Sequence, residues 1–331
     1  MPRRWPTTST ATTSARSASE AQTTVTTEEH GDAPEGIVGF RAGGAPEPRA
    51  LRSVGTFNIN SIRARLDLLA DWLDAADVDV ALLTEIRCLA DDFPVDELHE
   101  RGYDIALAYD HESLPKGRNG VAIASRVGLR APRRPLDDSA HWGKLDSRWP
   151  SHEGRLLLAE VGPDAAPVTV GSLYVPNGRE LDHWHYAYKL AWLDALRSVV
   201  AAHVNDRAGP LVLGGDFNVA PADCDVYAPK RWRGRTHVSP EERARIAALE
   251  EAGTVDLWRA QHPDPPEPDV AGFTWWNYRV GSYAKGQGLR IDLLLASADL
   301  AARAEAVEVH HEYRCAPKPS DHAPVVARFR T

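Results

Sequence analysis

Leu211-Val-Leu-Gly-Gly-Asp-Phe-Asn218 is a short apolar run that stops on two glycines, a carboxylate and an amide. Such a run reads as a buried strand, and Gly214-Gly215 permits close backbone approach where it ends. An i, i+2 pair at a strand end would set Asp216 and Asn218 on one face. The same construction recurs. Leu289-Arg-Ile-Asp-Leu-Leu-Leu295 holds Asp292 in an apolar run, and Ser320-Asp321-His322 stands just before the apolar stretch 324–329. Glu85 lies two positions past Val78-Asp-Val-Ala-Leu-Leu83. Each acidic group is therefore carried to the mouth of a sheet by the end of a strand.

The remaining periodicities fill in the frame. Strands are expected at 51–58, 78–83, 120–124, 156–161, 168–175, 211–213, 291–295 and 324–329, and helices at 62–75, 184–202 and 240–252. Many successive strands lack an intervening helix. The class is therefore α/β with mixed sheets flanked by helices, not a doubly wound parallel sheet. Residues 1–50 differ: Thr, Ser and Ala dominate 7–27, and Gly and Pro accumulate after Pro34. Such a segment buries too little to offset its ordering entropy, so it is expected to be a disordered tail, with 51–331 as one catalytic domain.

The 331 residues are 43% hydrophobic and 26% charged, a balance suited to one large globular unit. No run approaches a membrane span, and no apolar leader follows Arg3-Arg4. Cys88, Cys224 and Cys315 are an odd number without short spacing, which fits a reducing cytosol and neither a disulfide framework nor zinc. His183 and His185 have no Cys or Glu at metal-site spacing, so they are not read as zinc ligands. The net charge of -9 argues against wholesale coating by nucleic acid but not against one local basic face.

Carboxylates from three distant segments, with one His, suit a hard divalent cation, an activated water and a phosphoryl group. Asp292 in so apolar a strand needs a partner, and His322 is the natural one, because a carboxylate fixes the imidazole tautomer and raises its basicity. Asp321 beside it could meet a cation. Asn58 and Asn60, at the end of the first strand, could reach the same pocket, as could the phenol of Tyr174. Each residue alone has a plain structural explanation: a solvated strand end for Glu85, an Asx-turn for Asp216 and Asn218, a half-buried strand tyrosine for Tyr174. Their convergence favours a metal-dependent phosphodiesterase.

Seven segments in order carry a resemblance. Phe57-Asn-Ile-Asn-Ser-Ile-Arg-Ala-Arg65, Glu85, Tyr174-Val-Pro-Asn-Gly178, Gly215-Asp-Phe-Asn218, Phe273-Thr-Trp-Trp-Asn-Tyr-Arg279, Leu289-Arg-Ile-Asp292 and Ser320-Asp-His322 resemble the endonuclease/exonuclease/phosphatase superfamily, within it the exonuclease III branch of abasic-site endonucleases. The resemblance runs from about Arg52 to Arg330. It implies a four-layer α/β sandwich of two mixed sheets, Mg²⁺ (or Mn²⁺) and hydrolysis of DNA. It further implies Glu85 as the principal metal ligand with Asn58 and Asp321 nearby, and Asp216 orienting or deprotonating water with Asn218 holding water and phosphate. His322, paired with Asp292, would stabilise the scissile phosphate; an alternative makes His322 the base. Tyr174 would contact phosphate or water. Trp275, Leu289 and Ile291 would form a slot for an abasic sugar, selecting by shape. The family surrounds its Glu with Gln before and Thr-Lys after. Here the neighbours are Thr84, Ile86 and Arg87, so the support around the ligand differs.

Asn60, Arg63, Asn177, Arg279 and the basic loop Lys230-Arg231-Trp-Arg-Gly-Arg235 are the expected DNA contacts, with Arg65 and with Lys189 and Arg197 of the long helix. The implied partner is double-stranded DNA with abasic sites or blocked 3′ ends, met by a cytoplasmic, nucleoid-associated monomer without membrane attachment. The second reading is a phosphoesterase of the same superfamily acting on a nucleotide, phospholipid or inositol phosphate. The third is a non-catalytic relative, which loss of Glu85, Asp216, Asn218, Asp292 or His322 would have favoured.

Overall fold

A computed structural model describes residues 37–41, 48–109, 119–142, 146–150, 153–279 and 281–331. The strands in chain order are β1 (Ile37–Phe40), β2 (Ser53–Asn58), β3 (Val80–Thr84), β4 (Asp104–Ala108), β5 (Val121–Ser125), β6 (Leu129–Arg133), β7 (Leu156–Val161) and β8 (Val168–Tyr174). They continue with β9 (Leu211–Asp216), β10 (Thr254–Asp256), β11 (Trp275–Trp276), β12 (Gly288–Leu289), β13 (Asp292–Ser297), β14 (Ala304–Val309) and β15 (Val325–Phe329).

One seven-stranded sheet has the order β1-β4-β5-β3-β2-β15-β14, and one six-stranded sheet has the order β10-β13-β9-β8-β7-β6. β11 and β12 form a separate ribbon. Each large sheet contains one parallel pair, β2 with β3 and β8 with β9, among antiparallel neighbours. The inner strands are buried along their whole length because both faces are covered: by the other sheet inside and by helices outside. Val54, Leu82, Val170, Val212 and Leu294 lie in the core between the sheets. Trp72, Leu69 and Leu73 of the helix Leu66–Ala76 cover the seven-stranded sheet, and Trp192, Leu193 and Leu196 of the helix Trp184–Asn205 cover the other. The result is the four-layer α/β sandwich, with helices on each outer face.

Small residues permit this closeness. A Cβ on Gly55 would meet the Trp72 ring at 2.7 Å, and one on Gly214 would meet both Leu294 and Leu82 at 2.7 Å, the second across the sheet interface.

Several sequence expectations need correction. Ile37–Phe40, inside the expected tail, is an edge strand antiparallel to β4, since Ile-Val-Gly-Phe has the apolar content to extend the sheet. Arg49, also inside the expected tail, pairs with the buried Asp79, while positions 1–36 and 42–47 lie outside the described residues. The first helix starts at Leu66, not Ile62. Asn60 and Ser61 have positive φ of 48° and 88°, and the Ile62 N–H donates to Ile86 O, so the apolar Ile62 belongs to a loop. β4, β6, β10 and β14 escaped the sequence reading, being short or, in Ala-Glu-Ala-Val-Glu-Val, broken by two glutamates and mostly not buried. Among the described residues no helix is long and apolar enough to cross a membrane.

The packing yields a test. Gly214→Val should lower the free energy of unfolding in urea by about 1–3 kcal/mol through overpacking. Gly39→Ala, whose Cβ would meet nothing nearer than Ile105 O at 4.0 Å, should stay within about 0.5 kcal/mol of the parent. Equal losses would contradict the sheet contact at Gly214.

Candidate active site

The two sheets repeat one construction at the same edge. In the first, the C-terminal ends of the parallel strands β2 and β3 carry Asn58 and, one residue on, Glu85. The antiparallel β15 beside β2 is entered through Ser320-Asp321-His322. In the second, the parallel strands β8 and β9 end at Tyr174 and Asp216, which face each other in register, and the antiparallel β13 begins with Asp292 opposite Asp216. Parallel pairing puts two C-terminal ends side by side, and antiparallel pairing adds an N-terminal end. Six chain segments thus meet at one edge.

Side chains join the halves. The fully buried Asn58 donates through Nδ2 to Glu85 Oε1 at 2.9 Å and to Asp216 Oδ2 at 3.2 Å, crossing from one sheet to the other. Its own oxygen accepts the Asn60 N–H at 3.1 Å. Asn58, expected among the metal ligands, therefore bridges two carboxylates with its amide N–H groups turned inward. Glu85 also pairs with Arg87, and Glu85 and Arg87 both have φ of +52°. Asp321 accepts from Asn60 Nδ2 at 2.9 Å and from Trp275 Nε1 at 3.1 Å.

His322 Nδ1 lies 2.8 Å from Asp292 Oδ2, and Nε2 lies 3.8 Å from Asp216 Oδ2. Burial opposes charge on this imidazole, but the bonded Asp292 and the nearby Asp216 and Asp321 raise its pKa to about 10. Burial pushes Asp216 up to about 8, and the negative Asp292 and Glu85 add to this against the pull of His322. Burial, with Glu85 and Asp216, holds the Tyr174 phenol well above its ordinary range, so it stays neutral. Its ring packs under Arg155, 4.9 Å from the centroid, and Arg155 is paired with Glu153. Asp321 falls below its usual range, because His322, Asn60 and Trp275 outweigh its burial.

Asn218 does not follow Asp216 in extended alternation, since the strand ends at Asp216 and Asn218 has φ of +52°. The turn serves the same end. Asn218 N–H donates to Asp216 Oδ1 at 2.8 Å, while its side chain donates to Val175 O at 3.0 Å and accepts from Asn177 Nδ2 at 3.2 Å.

Trp275, Leu289 and Ile291 do come together, with Ala220 and Val226. Leu289 and Ile291 are almost entirely packed, at 0% and 3% exposure, so Trp275 supplies the open wall of the expected slot. Trp232 packs on the same cluster and sets the exposed Lys230, Arg231, Arg233 and Arg235 beside it. Arg279 is exposed near Tyr278. Arg63 is exposed and pairs with Asp92 at 3.0 Å, and Lys189, expected at the surface, is fully buried against Glu242.

Two residues that carry the geometry went unassigned in the sequence. Thr274 Oγ1 accepts the N–H groups of Ile291 and Asp292 at 3.1 and 3.0 Å, while Ala323 N–H donates to Thr274 O at 2.7 Å. It thereby ties the Asp292 strand to the segment after His322. Ser320 Oγ donates to Asn58 O at 2.7 Å and accepts the His322 N–H at 3.2 Å. Both stand inside quoted motifs, but a small hydroxyl in a turn has no signal that separates such a hub from an ordinary cap.

Oxygen ligands outnumber cations here: the buried Glu85, Asp216 and Asp292 and the half-buried Asp321 face His322 and Arg87, and Asp292 Oδ1 has no hydrogen-bond partner among the described residues. Hard oxygen ligands of net negative charge fit a divalent cation. Among the described residues no three His, Cys, Asp or Glu converge as a ligand set.

The sequence matches the Endonuclease/Exonuclease/phosphatase family over residues 55–322. Exodeoxyribonuclease III of Haemophilus influenzae is 30% identical over 285 residues, 83% of this chain and 98% of that protein. An AP endonuclease from Archaeoglobus fulgidus superposes with a TM-score of 0.71 at 34% identity, covering 85% of this chain and 100% of the other. A Neisseria 3′ phosphatase bound to a product DNA hairpin gives 0.72 at 33% identity, again over 85% and 100%.

The His322–Asp292 pair has a pH signature. A folded pKa raised from 6.5 to about 10 gives stabilisation that is complete below pH 6.5 and is lost as pH rises through about 10. Asp216, raised from 3.8 to about 8, acts in the same direction by penalising its own ionisation. Without divalent cation, wild-type stability in urea should fall from pH 6 to pH 10, and Asp292→Asn should flatten that fall. Parallel curves would show that His322 is not held as an imidazolium.

Proposed function

Because this chain belongs to the endonuclease/exonuclease/phosphatase family and is a DNA repair nuclease of the exodeoxyribonuclease III type, we propose that it cleaves duplex DNA 5′ of abasic sites and trims blocked 3′ ends, using Mg²⁺, with Mn²⁺ as a substitute. The observation that carries this reading is the junction of Glu85, Asp216 and the His322–Asp292 pair, joined across the sheets by Asn58. An exposed basic loop and a tryptophan lie alongside it. A small head group would need neither, whereas a DNA backbone and an abasic sugar use both.

Glu85 would be the principal ligand of the cation, with Asp321 nearby. When bound, the cation would polarise a phosphoryl oxygen and offset negative charge at the site. Asp216, as a carboxylate, would take a proton from water, and Asn218 would orient that water. His322, held protonated by Asp292, donates Nε2–H to a non-bridging phosphate oxygen and offsets charge growing there. In this reading Asp216 is the base, because the hydrogen bond from His322 Nδ1 to Asp292 favours the protonated imidazole. The neutral Tyr174 offers its hydroxyl to the phosphate, and Asn177 and Asn60 flank it. Trp275 lines the sugar slot. Lys230, Arg231, Arg233 and Arg235 meet phosphates, as does the exposed Arg279. A monomer in the cytoplasm, working at the nucleoid, completes the reading.

The first test is a labelled duplex with one synthetic abasic site. Incision 5′ to the lesion should require Mg²⁺, stop in EDTA, and fall by about 10²–10⁴-fold in His322→Ala. An intact duplex with folded wild-type protein would turn the search to phospholipid, inositol-phosphate and nucleotide substrates. Neutralising Lys230 and Arg231 together should weaken duplex binding and reduce the slope of log K against log[salt] by about 1–2. An unchanged slope would remove the loop from the DNA footprint.

A further inference from the structure

We propose that the buried Lys189–Glu242 ion pair is a positioning device for the catalytic edge, its ammonium fixing from behind the backbone carbonyls of Asn218 and Asn177. The inference rests on the reading of Asn218 given above. Lys189, on the helix that covers the six-stranded sheet, and Glu242, in the first turn of the helix Pro240–Glu251, have no exposed side-chain surface. Lys189 Nζ donates to Asn218 O at 2.6 Å and to Asn177 O at 3.3 Å, and it pairs with Glu242 Oε1. These carbonyls belong to the loops leaving the parallel strands β8 and β9, which carry Tyr174 and Asp216.

The anchor is itself anchored. Glu242 Oε1 accepts the His237 N–H at 3.0 Å and lies 2.9 Å from the Thr236 hydroxyl, which is 3.0 Å from Asn177 O. Glu242 Oε2 accepts the Ser239 N–H at 3.0 Å. His237 Nδ1 reaches Asn218 O as well, and burial beside Lys189 keeps this imidazole neutral, its pKa lowered to about 4. Gly178 leaves the space required: a Cβ there would lie 2.8 Å from Thr236 Oγ1 and 2.9 Å from Lys189 Cδ.

A purely structural explanation is weak on energetic grounds. Burying two charges carries a desolvation penalty of several kcal/mol per ion, and a matched apolar pair would join the two helices at least as firmly. An apolar pair could not supply a donor to two loop carbonyls. Asn218 has a left-handed backbone, a conformation that persists only when its surroundings over-determine it. The ammonium and His237 converge on its carbonyl, while Asp216 receives its N–H. Misplacement by 1 Å at such a residue costs a reaction about 10²-fold.

The test is a mutant cycle on the abasic-site duplex with Mg²⁺. Lys189→Met alone strands a buried carboxylate and is expected to unfold the protein, so the working variant is Lys189→Met/Glu242→Gln, which removes both charges at similar volume. It should keep a wild-type circular dichroism spectrum and lose about 10–100-fold in kcat, with KM nearly unchanged. Thr236→Val is a milder probe and should lower kcat several-fold in a folded protein. In an Asn218→Ala background, the double substitution should cost little more, because the residue it positions is gone. Full multiplicative losses, or a change confined to KM, would overturn the positioning role and leave Asn218 catalytic. Wild-type turnover by Asn218→Ala would instead refute the reading of Asn218, and this inference with it.

Discussion

Three carboxylates held away from water, with a fourth half-buried beside them, meet at the shared edge of two sheets and set the terms for the rest of the molecule. Like charges that close repel, and each costs free energy to desolvate. The fold answers with shared donors instead of one dedicated cation per acid. One amide, Asn58, serves both Glu85 and Asp216, one imidazole serves Asp292 and approaches Asp216, and Asn60 and Trp275 share Asp321. What remains uncompensated appears as the raised pKa of Asp216. The site is prepared for a cation and a phosphate because it is electrostatically incomplete without them.

Such incompleteness is tolerable only in a rigid frame. The strands that deliver the acids are apolar along their length and covered on both faces, so their ends have little freedom. The ribbon of β11 and β12 adds a lateral tie: Trp275 bridges to His322 along the backbone, and Thr274 bonds to the start of β13. The buried Arg290, paired with Asp225 and Asp256, fixes the residue between Leu289 and Ile291. Charge at the edge and apolar packing behind it are therefore parts of one arrangement.

Much of this was legible in the sequence, for identifiable reasons. Continuous apolar runs such as Leu211-Val-Leu and Leu293-Leu-Leu announce buried strands, and an acid at the end of each announces a site. The ordered motifs supplied the layered architecture. What stayed hidden depends on pairing across long sequence distances. Nothing local says that Asn58 faces Asp216 with its N–H groups, or that Lys189 points inward to Glu242 and not outward to DNA. Nor does anything local say that the exposed Arg63 pairs with Asp92. The edge strand at Ile37–Phe40 was masked by the composition around it, although its four residues are apolar enough to pair.

The position of β15 gives the site a place in time as well as in space. This strand sits in the interior of the seven-stranded sheet, joined to β2 through pairs such as Val325 with Thr56, and His322 stands at its start. While the chain is being synthesised, β2 therefore presents an open edge until almost every other strand has been made, a topology rich in non-local contacts that folds slowly. The imidazole is among the last functional groups to arrive. A chain cut short before β15 is left with an unpaired inner strand that invites association with its neighbours.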